Sequence, residues 1–261
     1  MTRNSFIKRI ISQTTRIDKR PHRHYKTAMT EPQLYQYEVC PFCWKARTAL
    51  ALKGAKFDTI EVHPLNKKEL AFSDYKKVPV YVDSSGKQVN DSTPIMRHID
   101  SEFGGTPLFE TEEAARNREN QLLEWSNSYV RAIPPLIYDT FPNALKAFDY
   151  ITKTSQFKWH ERKIIKFSGA GVMVLVAKKS RKEQGIENPE SHFVSMLKDW
   201  VSKLDGKDFA GGSRPNGADA AVFGITMSLS GLPAAHLVRE NVEFSKWVSL
   251  MEARTSQTFR P

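Results

Sequence analysis

The sequence predicts an α/β domain over residues 31–104 and an all-helical domain over residues 108–256, joined by a short break. Short segments that alternate apolar and polar side chains occur before residue 104, and long segments with helical spacing follow it. Between them, Gly104-Gly105-Thr106-Pro107 interrupts both patterns, as glycine and proline do in loops. Hydrophobic residues make up 40% of the chain and charged residues 26%, which is ordinary for a globular protein and excludes a fibrous one.

The first domain is predicted to have the element order βαβαββα. A strand, a helix and a second strand follow one another with short joins, which implies a parallel pair with a right-handed crossover. The β-branched segment at 78–82, the turn Asp83-Ser84-Ser85-Gly86 and a return strand predict a hairpin. The helix after it opens with a cap at Asp91 or Ser92 and has Pro94 in its first turn. The predicted elements lie at 33–39, 44–54, 56–62, 65–73, 78–82, 87–89 and 92–103.

The second domain is predicted to contain helices at about 111–133, 143–154, 158–179, 189–204, 218–230 and 241–256. Its longest apolar run, Phe167–Ala177, is shorter than the about 20 apolar residues that span a bilayer, so no transmembrane segment is predicted. We expect this run to form a buried core helix. The lysines on both sides of it leave a shallow, peripheral contact with a membrane surface as the alternative. Asp219, which follows Pro215-Asn216-Gly217, is expected to cap a helix and to be structural.

The formal net charge of +10 is concentrated at the N-terminus. Residues 1–30 hold eight basic side chains and one acid, Asp18, which gives +7 and leaves +3 for the rest of the chain. So small an excess on the folded part predicts no nucleic-acid partner. The tail is rich in Arg, Ser and Thr, and Phe6, Ile7 and Ile10 recur at helical spacing, which is typical of a mitochondrial transit peptide. We therefore expect a mitochondrial location; the alternative is a cytosolic protein whose basic tail binds an acidic partner.

The two cysteines of the chain stand together in Cys40-Pro41-Phe42-Cys43. The seven histidines are scattered and a second cysteine pair is lacking, so no metal site is predicted. Cys40 lies where a strand ends and a helix begins, and the unpaired N–H groups there favour the thiolate form of its side chain. Cys43 lies one helical turn later, where it can resolve a mixed disulfide on Cys40. Tyr37 precedes Cys40 by three residues and could direct its hydroxyl at the thiolate.

Two further segments predict a groove beside Cys40. In a thioredoxin-type domain with this element order, the proline of Val78-Pro79 is usually cis and leaves the backbone of Val78 free to pair with an extended peptide. A proline on an edge strand is the alternative. Asp91-Ser92 opens a helix whose N-terminus would suit the α-carboxylate of glutathione's γ-glutamyl group, although this pair would also cap the helix. Together with Cys40, these segments predict a groove for glutathione.

The segments LYQYEVCPFCWKARTAL, YKKVPVYV and VNDST resemble the first domain of the prostaglandin E synthase type 2 family, a branch of the glutathione-transferase superfamily with a glutaredoxin-like CPFC site. FSGAGVMVLVAKK and GGSRPNGADAAVFG resemble that family's helical second domain. The CPFC motif also occurs in glutaredoxins, so the segments of the second domain are the ones that distinguish this family from them. The resemblance covers residues 33–256 and implies a thioredoxin/glutaredoxin-like domain followed by a helical glutathione-transferase-type domain.

The resemblance also implies a site and an activity. The family is associated with isomerising a prostaglandin endoperoxide and with binding glutathione and haem, which implies a small apolar or peroxide substrate. The active cysteine falls on Cys40, with Tyr37 and Cys43 as its catalytic neighbours. The family's binding residues fall on Phe42, Val78, Asp91 and Ser92.

Two functions are compatible with the sequence. The first is a glutathione-dependent enzyme, an endoperoxide isomerase or a thiol transferase, with Cys40 as its thiolate. The second is an accessory, non-catalytic subunit of a large mitochondrial assembly that uses this fold as a docking module. A homodimer is compatible with either function. A partner chain that covers Cys40 would favour the second function.

Overall fold

The computed structural model describes residues 31–154 and 159–259, so the basic tail on which the targeting prediction rests lies outside the described residues. The first domain contains β1 (Gln33–Gln36), α1 (Pro41–Leu52), β2 (Asp58–Glu61), β3 (Val80–Val82), β4 (Gln88–Asn90) and α2 (Ser92–Glu102). The second domain contains α3 (Glu113–Ile137), α4 (Phe141–Thr154), α5 (Trp159–Glu183), α6 (Pro189–Lys203), α7 (Gly217–Met227), α8 (His236–Glu240) and α9 (Val242–Thr255). The predicted fold class, an α/β domain followed by a helical one, is confirmed.

The strands of the first domain form one mixed sheet in the order β2-β1-β3-β4. β1 and β2 are parallel, with Tyr35 opposite Ile60, because α1 carries the chain back across the sheet between them. β1 and β3 are antiparallel, with Tyr35 opposite Val80, and β3 and β4 form the predicted hairpin. Because β1 is an inner strand, its carboxyl end and the start of α1 lie in the middle of one end of the sheet.

Two predicted elements of the first domain differ from the structure. The predicted short helix after β2 is reduced to a single 3₁₀ turn, Lys68–Leu70, because Lys67 has a left-handed backbone conformation (φ 50°) that an α-helix of L-residues does not continue through. The predicted strand over 33–39 ends at Gln36. Beyond it, the N–H of Cys40 donates to the carbonyl oxygen of Tyr37 (3.0 Å), and this turn leads directly into α1.

The two domains pack through α1 and α7, whose backbones come close together at Gly224. A Cβ atom at Gly224 would lie 2.6 Å from the backbone nitrogen of Lys45, so a larger residue fits only if a helix moves. Lys45 is itself buried, and its Nζ donates to Oγ1 of Thr93 (3.2 Å). Burial lowers the pKa of Lys45 to about 8, and the nearby carboxylate of Asp91 opposes that shift. The interface therefore holds a cation next to the N-terminal turn of α2.

The connection between the domains is held by Asp100, near the end of α2. Its carboxylate accepts hydrogen bonds from the N–H groups of Leu108 (2.7 Å) and Phe109 (3.0 Å). From the second domain, Arg214 donates to the carbonyl oxygen of Pro107 (2.6 Å). The glycine-rich connection at residues 104–107 and the residues after it are thus held by both domains. These contacts fix the direction in which α3 leaves the first domain.

Asp219 has the contacts of a structural residue. It forms a reciprocal capping box with Asn216 at the start of α7. Its carboxylate also accepts from the N–H of Ala210 (3.0 Å) and from Nε1 of Trp247 (3.1 Å). Burial raises the pKa of Asp219 to about 6, although these hydrogen bonds favour its ionised form. Asp219 therefore joins α7, α9 and the loop before α7.

The prediction of a buried core helix for the run Phe167–Ala177 is wrong for one face of α5. Small residues of the run face the neighbouring helices: Ala170 is buried, and a Cβ atom on Gly169 would lie 2.2 Å from the ring of Phe148. Met173 and Val174 pack against the core, whereas other large side chains of the run are exposed. The run is apolar all round, so its periodicity could not distinguish these faces. Four side chains that are between 57% and 67% exposed form what we call the α5 stripe: Ile164, Phe167, Val172 and Leu175.

None of the helices in the described ranges has the length and apolar composition needed to cross a bilayer. The α5 stripe belongs to a helix of 25 residues that also carries charged side chains along its length. The peripheral membrane contact stays a prediction.

Candidate active site

Cys40 is the residue immediately before α1, and its backbone is the N-cap of that helix. Its backbone is extended (φ −81°, ψ 121°), and Pro41 follows within the first helical turn, where the missing N–H of proline leaves no hydrogen bond unmade. The sulfur of Cys40 lies at the positive end of the α1 dipole. Cys40 is partly exposed, whereas Cys43 is buried. The accessible sulfur is therefore the one at the helix N-terminus.

The two thiols have opposite acid–base character. The thiol of Cys43 donates a hydrogen bond to the sulfur of Cys40, and this is the main cause of the lowered pKa of Cys40. The amides of Cys43 and Phe42 act in the same direction, whereas burial acts against them. Burial raises the pKa of Cys43, and the hydrogen bond to Cys40 raises it further. Because the thiolate is the nucleophile, this arrangement favours reaction at Cys40.

Tyr37 and Val78 both pack against the small apolar cluster around Val80. Burial raises the pKa of Tyr37 to about 12, and negative charge at Cys40 is the next cause, so the phenol is a protonated donor at neutral pH. No hydrogen bond joins the hydroxyl of Tyr37 to the sulfur of Cys40 among the described residues. The Val78–Pro79 peptide bond is cis, as predicted.

Asp91 and Ser92 open α2. Asp91 is the N-cap with a positive φ (70°), and its carboxylate accepts from the N–H of Ser92 (2.6 Å). Ser92 is buried and Asp91 is exposed. The ammonium of Lys45 lies close by, hydrogen-bonded to Thr93. A helix N-terminus next to a cation suits a carboxylate, and the exposed Asp91 suits an amine. These residues therefore fit the two charged groups of the γ-glutamyl end of glutathione.

Tyr75 is a residue near the predicted site to which no motif pointed. Burial raises its pKa, and the negative charges of Asp91, Cys40 and Cys43 are the further causes. Tyr75 therefore lies within electrostatic reach of both the α2 N-terminus and the thiol pair.

A cavity of about 370 Å³ lies between the two domains and adjoins Cys40. Cys40, Pro41 and Phe42 form its wall on the first domain. The charged residues Arg131, Lys179 and Glu183 also line it, and all three are exposed. The apolar lining from the second domain consists of Val130, Ile133, Pro134, Ile137, Met173, Val176 and Leu232. An apolar molecule that filled this cavity would contact the sulfur of Cys40.

The residues predicted from the sequence therefore fall into two groups. Cys40 and Phe42 line the cavity. Cys43 is buried directly behind Cys40. The residues that do not lie on the cavity walls are Tyr37, Val78, Pro79, Asp91 and Ser92.

Tyr138 is a cavity residue that the sequence analysis missed. α3 runs past its predicted end at 133, through two prolines, and the N–H of Tyr138 donates to the carbonyl oxygen of Pro134 (2.8 Å). The ring of Tyr138 lies 5.9 Å from the ring of Phe148, and only 8% of the residue is exposed. No local pattern marks it, because only the packing of the two domains brings it to the cavity that Cys40 lines.

A second unpredicted cluster joins the β3–β4 turn to α2. Nε2 of His98 lies 2.9 Å from Oδ2 of Asp83 and 3.8 Å from Oε2 of Glu102, and the hydroxyl of Tyr81 donates to Glu102 (2.7 Å). The ligand atoms of Asp83, His98 and Glu102 lie within 4.8 Å of one another, which is close enough for a metal ion. Their mutual hydrogen bonds already account for the arrangement as a brace between hairpin and helix.

Comparison with known proteins identifies relatives of both domains. A family model described as glutathione S-transferase, N-terminal domain, matches residues 34–107. Prostaglandin E synthase 2 from Danio rerio is 28% identical over 265 residues, which cover 85% of this chain and 70% of that protein. The protein of the same name from Mus musculus is 29% identical and covers 84% of this chain and 69% of its own length. A solved glutathione S-transferase from Methylobacillus flagellatus with GSH bound has a TM-score of 0.54 at 15% identity, covering 88% of this chain and 100% of that one.

The fold and the matched first domain are those of the glutathione transferases, a thioredoxin-like domain followed by a helical one. Over both domains the chain is similar to prostaglandin E synthase 2, which confirms the resemblance predicted from the sequence. At the level of the family, these similarities support a glutathione-dependent enzyme of the transferase or isomerase type.

Proposed function

We propose that the protein is a glutathione-dependent enzyme in which Cys40 acts as a thiolate on a small apolar peroxide or endoperoxide. The observation that carries this proposal is the position of Cys40, which stands at the N-terminus of α1 and on the wall of the apolar cavity. A thiol cofactor in the groove and an apolar substrate in the cavity would meet at this sulfur, and such positioning is itself a large part of catalysis.

The groove residues would hold glutathione in an extended form. The N-terminus of α2 at Ser92 would bind the γ-glutamyl carboxylate, Asp91 the amine, and the backbone of Val78 the peptide part. Tyr37 would donate a hydrogen bond to the thiolate or to a bound oxygen. When a mixed disulfide forms on Cys40, Cys43 would displace the leaving thiol as thiolate and close an intramolecular disulfide.

Haem is implied by the resemblance, and the residues present fit its ligand chemistry in one respect. Cys40 offers a thiolate, a known axial ligand of haem iron, at the wall of an apolar cavity. Bound haem would supply redox chemistry at its iron and would occupy the sulfur that the thiol reaction needs. Cys40→Ser should therefore abolish any thiolate-ligated haem spectrum in a titration followed by absorbance.

Two measurements test the enzyme proposal. Calorimetry should detect glutathione binding to the wild-type chain, and a coupled assay should detect glutathione-dependent turnover of an apolar hydroperoxide or a mixed disulfide. Cys40→Ser should abolish turnover while glutathione still binds, because the groove contacts remain. Cys43→Ser should retain the reactions in which a second glutathione, and not Cys43, resolves the mixed disulfide on Cys40. Absence of glutathione binding to the wild type would refute the proposal.

The α5 stripe favours the second candidate function, a docking subunit of a mitochondrial assembly. Exposed contiguous apolar side chains mark an interaction surface more often than a solvated one. Purification from native material discriminates the two functions: an enzyme with an open cavity should be recovered active alone or as a homodimer, whereas a docking subunit should be recovered with other chains. A complex in which another chain covers Cys40 would favour docking over catalysis.

A further inference from the structure

Tyr138 lines the same cavity as Cys40. Its backbone is held by the last turn of α3, and its ring packs against Phe148, so its position is defined. Within the described part of the chain, its hydroxyl has no hydrogen-bond partner. A phenol with no protein acceptor is available to donate a hydrogen bond to a ligand that enters the cavity.

The other hydroxyls on the cavity wall already have partners. Oγ of Ser180 donates to the carbonyl oxygen of Arg131 (2.6 Å), and Oγ of Ser228 donates to the carbonyl oxygen of Ile225 (2.7 Å). The charged side chains of Arg131 and Lys179 are exposed. Glu183, which also lines the cavity, is exposed as well. Of the polar side chains that line the cavity in the described part of the chain, those of Cys40 and Tyr138 are neither exposed nor bonded to a backbone carbonyl.

The acid–base character of Tyr138 suits a donor. Burial raises the pKa of its phenol above that of free tyrosine, and negative charge at Cys40 raises it further. The hydroxyl is therefore protonated at neutral pH, while the opposite wall carries the nucleophile.

We propose that Tyr138 is a catalytic residue of the second domain, whose hydroxyl protonates the oxygen that leaves when Cys40 attacks a peroxide bond. This inference rests on the proposed function. With a hydroperoxide ROOH, the Cys40 thiolate attacks the terminal oxygen, the S–O bond forms and the O–O bond breaks. The electron pair goes to the alkoxide RO⁻, which takes the proton of Tyr138 to give ROH; water then reprotonates the phenolate.

Glutathione closes this cycle as the reductant. One glutathione thiol attacks the sulfenic acid on Cys40, which releases water and leaves a mixed disulfide. A second glutathione thiolate displaces Cys40 and gives glutathione disulfide. The peroxide is thereby reduced to alcohol and water, and two glutathione molecules are oxidised. With an endoperoxide, the same attack breaks the O–O bond, joins one substrate oxygen to the sulfur of Cys40 as a sulfenate ester and leaves the other as an alkoxide, which takes the proton of Tyr138. A glutathione thiol then attacks the sulfur of the ester, which releases the first oxygen as an alcohol and leaves the mixed disulfide on Cys40.

The test compares two oxidants that differ in whether the leaving oxygen needs a proton. Cumene hydroperoxide releases a strongly basic alkoxide, whereas perbenzoic acid releases benzoate, which is stable as an anion. The measured quantity is the second-order rate constant for oxidation of the Cys40 thiol in the full chain. Tyr138→Phe should lower the rate with cumene hydroperoxide by about 100-fold, the scale of a lost general acid. It should leave the rate with perbenzoic acid unchanged.

Tyr129→Phe is the matched control. It removes the same atom from a tyrosine within α3, the helix that Tyr138 follows directly, and Tyr129 does not line the cavity, so its rates should equal those of the wild type. Iodoacetamide alkylation of Cys40 should also be unchanged in Tyr138→Phe, because the thiol itself is intact. Equal rates for Tyr138→Phe and wild type with cumene hydroperoxide, or equal losses with both oxidants, would overturn the role of Tyr138. A wild-type thiol that reacts with neither oxidant would overturn the proposed function as well.

Discussion

Replacing Cys43 by Ala should slow the alkylation of Cys40 at pH 7, although Cys40 itself is unchanged. The thiol of Cys43 donates the hydrogen bond that lowers the pKa of Cys40 most, and the backbone amides remain in the variant. A hydrogen bond to a charged group contributes about 1.5–3 kcal/mol. Its loss removes that stabilisation from the thiolate alone, so the pKa of Cys40 rises. Because 1.4 kcal/mol corresponds to about a tenfold change in an equilibrium, alkylation at pH 7 should slow about tenfold or more.

The assay is the rate of iodoacetamide alkylation as a function of pH, with the modified residue assigned by mass spectrometry. Cys43→Ser is the matched control, because its O–H can still donate to the sulfur of Cys40 and should preserve most of the wild-type rate. A pH profile of Cys43→Ala that coincides with that of the wild type would refute the hydrogen-bond argument. Faster alkylation of Cys43 than of Cys40 in the wild type would refute the assignment of the nucleophile, since Cys43 is buried.

Four further predictions follow from other parts of the molecule. Ser92→Ala should weaken glutathione binding by about 1 kcal/mol, the scale of one hydrogen bond, as measured by calorimetry; unchanged affinity would place the γ-glutamyl group elsewhere. Asp219→Ala should lower the free energy of unfolding by several kcal/mol, because it leaves three buried donors and one part-buried donor without their acceptor, and it should have no specific effect on Cys40 alkylation below the melting temperature. Val172→Glu with Leu175→Glu should abolish binding to anionic vesicles if α5 makes a membrane contact; in size-exclusion chromatography, a shift to a smaller species would instead assign the α5 stripe to self-association. A fluorescent fusion of residues 1–30 should localise to mitochondria, and a chain that starts at Glu31 should keep the melting temperature of the full chain; cytosolic fluorescence would exclude the targeting role.

Much of the first domain could be predicted because its signals are local. The alternation in β1 and β2, the β-branched run of β3 and the cap at Asp91 each determine the structure of their own residues. The exceptions have local physical causes that residue type does not reveal. Lys67 adopts a left-handed conformation that lysine rarely takes, and this ends the predicted helix before it forms. In α5, a run that is apolar on every side gave no indication of which face would pack.

The sequence indicated more residues of the glutathione groove than of the cavity. Cys40, Val78 and Asp91 are each marked by a motif within one βα or ββα unit, so a sequence can indicate them before the fold is known. Tyr138 and Tyr75 carry no motif, and their importance comes only from what the tertiary fold brings near them. A free hydroxyl in a cavity is a property of the packed structure, since it depends on the absence of competing acceptors.

The geometry of the whole site depends on one rigid element, α1. Its N-terminus carries Cys40, and its middle packs against α7 at Gly224, where the backbones are too close to admit a Cβ atom. The same helix therefore sets the charge state of the sulfur and the distance between that sulfur and the second domain. Because Tyr138 belongs to that second domain, the separation of nucleophile and donor is fixed by helix packing and not by a flexible loop. This is the physical reason to expect that both groups act on one bound substrate.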